Sequence, residues 1–590
     1  MKKFNTIILS IVFLVSCSEA LEPMSSNYYT DDNLDDYPSL IKGFVDKAYA
    51  LSSVTYMTNE YIYMDCAADN GVITSNTAWM RKLANGSISP SEDPTKAYWD
   101  RDYTGIYYVN RFLENNKGYN TQYMRDADQD QLIRKAYQGD AYGLRAWFLY
   151  DLLCKFGGRG TDGQLYGVPI FTTATAQTTA DPSVVTRASF DECIQQIIDD
   201  CDSAFAYLPL ANRDYLASNT AIEGSCRWSR LDGMSVVALK SLAYLLWASP
   251  TFNPASDITR WQKAAEYSAQ AMRLKQQIDG PKGFSPTAPF FWTDPNSSEA
   301  FWISRPSALT STMEKAQYPF GFTGNCLFAP SQELVDAFPA ANGYPITDSR
   351  SGYNHKMPYA NRDPRFYATI FYNGSSANRE GSGAAMYTFE TFQSGKDESG
   401  QAGNGLTNYY LKKFLYMGWN PTDATVQTMP RAVIYIGWRD VCLAYAEAAN
   451  IAYGPEVEAF GYTAKQAIGF VRSRKTTDGE KGLGATSDPY LNECCTNQDK
   501  FNELVRNERR IEFCFEGKRF LDLVRWGVPL NERNTPLHKV KIIKLDTVNA
   551  YSTVEVDQRN MPSIFLPVPY TEIVNAPAIV QNEGWESWTR

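Results

Sequence analysis

From Asp128 to Phe156 the apolar residues Leu132, Ala136, Leu144, Phe148 and Leu152 recur at multiples of four, which predicts a helix with one apolar stripe turned to a neighbour. Gly157-Gly158 stops it. The next helix opens with a capping box, Ser189 and Glu192, carries Ile194, Ile197, Ile198, Cys201, Ala204, Phe205 and Leu208 on one face, and ends at Pro209. Similar patterns predict helices from Ser229 to Ser249 and from Thr259 to about Gln277, the latter around Trp261, Ala264, Ala265, Ala271 and Met272. Between about residues 278 and 428 the chain turns rich in Gly, Pro, Asn and aromatics, and only SQELVDAF keeps a helical pattern. Helices return with VCLAYAEAANIAY, with one opened by Thr463 and Gln466, and with one running through RNERRIEFCFEGKRFLDLVRWG at 506–527. Helix pairs at spacings of about 30 to 40 residues approach the tetratricopeptide (TPR) period without its consensus. The predicted fold class is mainly α: a TPR-like helical-repeat scaffold with large loop-rich insertions and minor β-structure.

The first residues change the picture from a plain helical scaffold to an exported one. Met1-Lys2-Lys3 and the apolar run FNTIILSIVFLVS form a cationic start and an apolar stretch too short to cross a bilayer comfortably, which reads as an export signal. It ends Leu14-Val15-Ser16-Cys17, similar to a bacterial lipoprotein lipobox, so residues 1–16 are a signal peptide and Cys17 becomes the acylated first residue of the mature chain. Each buried acyl methylene contributes about 0.8 kcal/mol, enough in several chains to hold a protein on a membrane without a spanning helix. No later segment is expected to span one. Ser18, Glu19 and Glu22 then resemble the acidic surface-export tags of outer-membrane lipoproteins.

Composition narrows the partners. With 44% hydrophobic and 14% aromatic residues, the chain can bury a large core and keep aromatics for its surface. Fifty-six basic against 66 acidic residues, net −10, leave no basic stripe to neutralise phosphates, so nucleic acid is excluded as a partner. Beyond Cys17, the cysteines show no regular spacing and no CxxC, hence no zinc knuckle or thioredoxin motif. Cys154, Cys201 and Cys442 read as buried hydrophobes, whereas Cys494-Cys495 sits in a loop-like segment whose pairing stays open.

Catalytic chemistry finds little support. The two histidines, His355 and His538, lie far apart with no partner at metal-ligand spacing, and neither GGRGTDG nor GSGAAM forms a nucleotide loop. No pattern assigns a cofactor or metal, and whether calcium supports a loop is not readable from the residues. A glycosidase needs two carboxylates about 5–9.5 Å apart, and Glu508, Glu512 and Glu516 stand at i, i+4, i+8, a row on one helix face. Arg509, Arg510, Lys518, Arg519 and Arg525 surround that row, and arginines lower carboxylate pKa values, the wrong direction for a general acid. An ion-paired lattice, with the glutamates bound to arginines, Asp522 among the charges and Trp526 packed, is the expected reading.

The same stretch, with ERRIEF at 508–513, FEG at 515–517 and RFLDLVRWG at 519–527, resembles the carboxy-terminal hallmark of the SusD/RagB family of outer-membrane nutrient-binding lipoproteins. GDAYGLRAWFLYDLLCKFGG at 139–158, PSQELVDAF from Pro330, NRDPRF from Asn361, YAEA from Tyr445, VRSR from Val471, LPVP from Leu566 and QNEGW from Gln581 follow in the family's order. One departure is Gly437, where the family usually has an Arg about nine residues ahead of the Ala of YAEA; Arg439 stands nearby. The resemblance implies that residues 17–590 form a single SusD-like fold, with an amino-terminal half over about 18–277 and a carboxy-terminal half over about 278–590. It further implies a non-enzymatic, lipid-anchored protein of the outer membrane, facing the cell exterior. Such a protein binds oligosaccharides and delivers them to a SusC-like TonB-dependent transporter. A peptide ligand, as in RagB-type members, and a glycoside hydrolase remain the alternatives.

Sugars present apolar faces and hydroxyl edges, so their sites pair exposed aromatics with amide, carboxylate or guanidinium hydrogen-bonders. Two loop regions supply both. The first holds Asp69, Asn70, Asn76, Trp79 and Arg81; the second, inside the loop-rich region 278–428, holds Trp292, Asp294, Asn296, Trp302, Arg305, Gln317, Tyr318 and Phe320. Trp99 and Tyr103 are assigned to the core.

Overall fold

Side-chain caps open most of the long helices. Asp126 accepts from the Gln129 amide at the start of the helix Ala127–Phe156, Ser189 and Glu192 close a reciprocal capping box on Phe190–Tyr207, and Asp232 caps Gly233–Ala248. Asp257 caps Ile258–Asp279, Thr463 with Gln466 caps Ala464–Arg472, and Asn497 caps Gln498–Glu512. Each cap satisfies an amide that the helix cannot, a contribution of about 1 kcal/mol apiece. The computed structural model describes residues 34, 37–53, 62–212, 224–280, 299–305, 311–378, 385–422, 431–474, 483, 488–546 and 548–589. The signal segment with Cys17, and Trp292, Asp294 and Asn296 of the second loop region, lie outside the described residues.

The scaffold is a stack of helices in which each packs on the next. We number α1 Pro38–Ser52, α2 Lys96–Leu113, α3 Ala127–Phe156, α4 Phe190–Tyr207, α5 Gly233–Ala248, α6 Ile258–Asp279, α7 Trp438–Tyr453, α8 Ala464–Arg472, α9 Gln498–Glu512 and α10 Arg519–Arg525. Contacts run α1 to α2, α2 to α3, and so on to α6, which packs on α7; α7 then meets α8 and α9. Nearest-neighbour stacking of this kind is the geometry of helical repeats. Because α6 touches α7 directly, the 158 residues between Asp279 and Trp438 leave the stack and return to it. The return is stitched by a short antiparallel pair, Ala300–Ile303 with Ile434–Gly437.

That excursion contains more helix than its pattern suggested: Thr312–Gln317 and Pro364–Thr369 accompany the expected Gln332–Ala337. Six-residue helices carry too few turns to show a period. The strands among the described residues form two-stranded antiparallel pairs, including the hairpin Leu537–Lys544 with Asn549–Asp557. One of these pairs joins the two loop regions: Gly71–Ile73 runs antiparallel to Phe328–Pro330, with Val72 opposite Ala329.

Three expectations need correction. Leu132 and Phe205, placed on buried stripes, are each 40% exposed, while Ile133 and Tyr137 are buried. In α3 only the first residue of the predicted stripe faces out, Ile133 one position round taking the inward place, while Ala136, Leu144, Phe148 and Leu152 stay buried. The quoted stretch is not one helix: α9 ends at Glu512, and Phe515 and Gly517 take positive φ values of 61° and 77° before α10 begins. Finally, the stretch Arg227–Ala248 is long and apolar enough to cross a membrane, yet it is buried in the stack between α4, α6 and α7, as a core helix must be. Cys66, Cys154, Cys193, Cys201, Cys326, Cys442, Cys494, Cys495 and Cys514 are unpaired, and all but Cys154 are buried.

Candidate functional site

The carboxylate row is the first place to test for chemistry. Glu508 accepts from Arg472 at 2.9 Å and also pairs with Arg365. Glu512 pairs with Arg474 at 2.8 Å and with Arg365 and Arg439 at 3.0 Å each; Glu516, in the turn after α9, pairs with Lys413 at 2.7 Å and Arg439 at 3.2 Å. All three glutamates are buried. Burial works to raise the Glu512 carboxyl, but Arg474, Arg439, Arg365 and Lys413 outweigh it and hold it well below the ordinary range. For Glu516 burial is likewise outweighed, by Arg439 and Lys413. Neither carboxyl holds a proton near neutral pH to donate as a general acid.

The partners differ from those expected. The arginines adjacent in sequence turn elsewhere: Arg509 to Asp522 at 2.9 Å, Arg510 and Arg519 to Asp69 at 3.1 and 2.8 Å, and Arg525 to Glu447 at 2.7 Å and Asp522 at 2.8 Å. Trp526 is buried and donates its indole N–H to Glu447 at 2.7 Å. The cations on the glutamates come from distant segments. Arg365 lies in NRDPRF, Arg472 and Arg474 in VRSR, Glu447 in YAEA, so blocks far apart in the chain meet in one buried lattice. Gly437 caps α7 with Asp440, and Arg439, two residues on, supplies the cation that joins Glu512 to Glu516. Beside the lattice, Asp65 is buried with one oxygen that has no hydrogen-bond partner among the described residues; the other accepts from Asn70 at 3.0 Å and from the Phe515 amide. Burial pushes its carboxyl up to about 7 against those bonds.

The predicted ligand residues divide sharply. Trp302 is 2% exposed, wedged between Trp147 and Tyr435 at 4.9 and 4.3 Å between ring centroids, and donates to the Ser229 carbonyl. Tyr318 is fully buried in an aromatic stack with Phe322, Phe389 and Trp419, and Gln317 is buried beside it. Asn70 is buried between Asp65 and Arg510. Asp69 is held by two arginines, and Arg81 pairs with Asp557 at 3.1 Å while donating to the carbonyls of Ile73 and Thr74. As ligand platforms Trp302, Tyr318, Gln317 and Asn70 are thus corrected to core: aromatic and amide side chains in a loop-rich region are still drawn inward when partners exist there. Trp99 and Tyr103 are buried.

What remains outside is a surface assembled by the Gly71–Ile73 and Phe328–Pro330 pair. The ladder continues past its ends: the Thr74 amide donates to the Leu327 carbonyl at 2.8 Å and its hydroxyl to the Cys326 carbonyl at 2.6 Å. Past Thr74 the chain carries the exposed Ser75, Asn76 and Thr77, and before Cys326 the partner segment carries the exposed Thr323 and Asn325; Trp79 is half-buried against Tyr98. Phe320, 69% exposed, lies in that partner segment. Its amide donates to Asn404 at 3.1 Å and its side chain lies over Gly403, where an added Cβ would come within 2.9 Å of the Phe320 Cβ. Gly403, at φ +79°, could not be larger without displacing the aromatic. The loop GQAGNG at 400–405, with Gln401 exposed, therefore supports the same face; the sequence reading missed it, although its glycine density was the available signal. Arg305 lies apart, exposed at a cavity of about 500 Å³ with Arg230 and Tyr49. Among the described residues no three His, Cys, Asp or Glu side chains converge to hold a metal ion.

Comparisons with known proteins show the family and the fold. Residues 290–585 match a family model described as the SusD family, and residues 21–225 match one described as starch-binding associating with outer membrane. A SusD-like protein of Formosa agariphila is 25% identical over 232 residues, which is 38% of this chain and only 41% of that relative's length. The crystal structure of a SusD-like protein from Bacteroides fragilis superposes with a TM-score of 0.70 at 22% identity, covering 94% of this chain and 98% of the other. A SusD-like carbohydrate-binding protein from the same species superposes at 0.68 with 19% identity, over 92% and 99% of the two chains.

Proposed function

The chain belongs to the SusD family, and from that membership we propose that it is an outer-membrane lipoprotein, anchored through Cys17 with its loops toward the cell exterior. In this reading it binds oligosaccharides and delivers them, uncleaved, to a SusC-like TonB-dependent transporter. The observation that carries the proposal is the pair of family matches over 21–225 and 290–585, the first of them described as starch-binding and outer-membrane-associated. The geometry is compatible: among the described residues the carboxylate cluster of Glu508, Glu512 and Glu516 is ion-paired and buried, whereas Phe320 is exposed, as a platform for a sugar face must be. Calcium is assigned no role.

Two experiments test this. The purified mature protein is titrated calorimetrically with starch-derived and other neutral oligosaccharides, and the mixture is then chromatographed. Binding with the ligand recovered intact is expected; shortened products would overturn the non-enzymatic reading, and a blank glycan panel with hits from a peptide library would move the ligand class to peptides. Separately, metabolic labelling with palmitate should tag the wild type and not Cys17→Ala.

A further inference from the structure

A second cavity, of about 360 Å³, lies away from the loop face, against α9, α10 and the turn at 528–535. Four arginines line it: Arg506, Arg510, Arg519 and Arg533, with three carboxylates, Asp69, Glu333 and the exposed Glu532 at its rim. Asp69 and Glu333 are already engaged. Asp69 is clamped by Arg510 and Arg519, and Glu333 accepts from the His538 backbone amide at 3.1 Å and lies 2.6 Å from its Nδ1. Arg506 and Arg533 are different. Among the described residues neither has an ion-pair partner; the Arg506 Nε and the Arg533 Nη2 are buried without a hydrogen bond. Arg533 is 9% exposed, donates from Nη1 to the Ile564 carbonyl at 3.0 Å and otherwise packs on the Phe520 ring. Arg506 lies over Trp526 at 4.9 Å.

We propose that this cavity is a binding site for a small oxyanion, a carboxylate or sulfate group, held by Arg506 and Arg533. A guanidinium taken out of water without a counter-charge is costly, and an arriving anion removes that cost through short, charge-assisted hydrogen bonds. Consistent with this, burial pushes the Arg533 guanidinium down to about 10, offset only in part by Asp69. The volume sits at the low end of small-molecule pockets, room for one ring or a free ion and not for a chain. The inference is independent of the oligosaccharide reading, since it involves no residue of the exposed face.

The test is calorimetric titration of detergent-solubilised full-length protein with sodium glucuronate, glucose and sodium sulfate at fixed ionic strength. At least one anion should bind while glucose does not, and Arg533→Gln and Arg506→Gln should each weaken that binding tenfold or more. Sulfate matching glucuronate identifies a bare oxyanion as the ligand; glucuronate binding more tightly identifies an acidic sugar. Without ligand, Arg533→Gln should melt at or above the wild-type temperature, because it removes an uncompensated buried charge; Arg506→Gln, at a half-buried position, serves should that variant fail to fold. Binding of neither anion, or wild-type affinity in both variants, overturns the proposal.

Discussion

The lattice around Glu508, Glu512 and Glu516 and the loop face around Phe320 are both crowded with polar side chains. In the lattice the glutamates are buried and paired to cations drawn from Arg365, Lys413, Arg439, Arg472 and Arg474. In the loop segments Ser75, Asn76, Thr77, Thr323, Asn325 and Gln401 are exposed, as is the aromatic Phe320. Polar density alone therefore does not mark a site. A group whose hydrogen bonds are filled from within the fold holds the fold together, and one left open to solvent is available to a ligand.

The sharpest break of that contrast is Arg439→Ala. It leaves Glu512 and Glu516 buried with fewer cations and should lower stability by about 3–5 kcal/mol in urea unfolding. A loss below about 1 kcal/mol would mean that the lattice is not what holds these segments together. Next is the pH dependence set by Asp65. Its carboxyl stays protonated in the fold up to about 7 but ionises near 3.8 when unfolded, so the native state binds the extra proton between those values. Stability should therefore fall as pH rises from about 4 to 7, by up to roughly 4 kcal/mol, and Asp65→Asn should flatten that decline. Glu512 and Glu516 act in the opposite sense, their pKa values being depressed: their contribution is complete above the ordinary carboxylate range and is lost on acidification below it. An unchanged slope in Asp65→Asn, followed by unfolding at pH 4, 5.5 and 7, would refute the assignment.

Arg519→Ala tests a pair nearer the surface. Asp69 keeps Arg510, and its side chain is 30% exposed, so a loss of about 1–3 kcal/mol is expected, less than a fully buried pair would show. Smallest in stability is Phe320→Ala, which should change unfolding by no more than about 0.5 kcal/mol while weakening oligosaccharide binding by about 1–3 kcal/mol. The reverse result, a folding defect with intact binding, would move Phe320 from the loop face to the core.

Helices α3 to α9 were legible because caps and apolar periodicity are local: Ser189 with Glu192, Thr463 with Gln466, and the run around Trp261 each act within one or two turns. The family resemblance was legible for the same reason, as short blocks in order. Burial in the loop-rich region was not. Trp302 and Phe320 are both aromatics in irregular chain, and nothing adjacent to either says that one meets Trp147 and Tyr435 while the other meets solvent. The three glutamates likewise announced ion pairs, but not with whom, since the nearest arginines in sequence are not the nearest in space. By itself the sequence determined the helical scaffold, its class and the presence of a charged lattice, because those follow from side chains within a few residues of one another. Only the tertiary structure decided which aromatics remain exposed and which arginines lack partners, because exposure and charge compensation depend on segments hundreds of residues apart packing together.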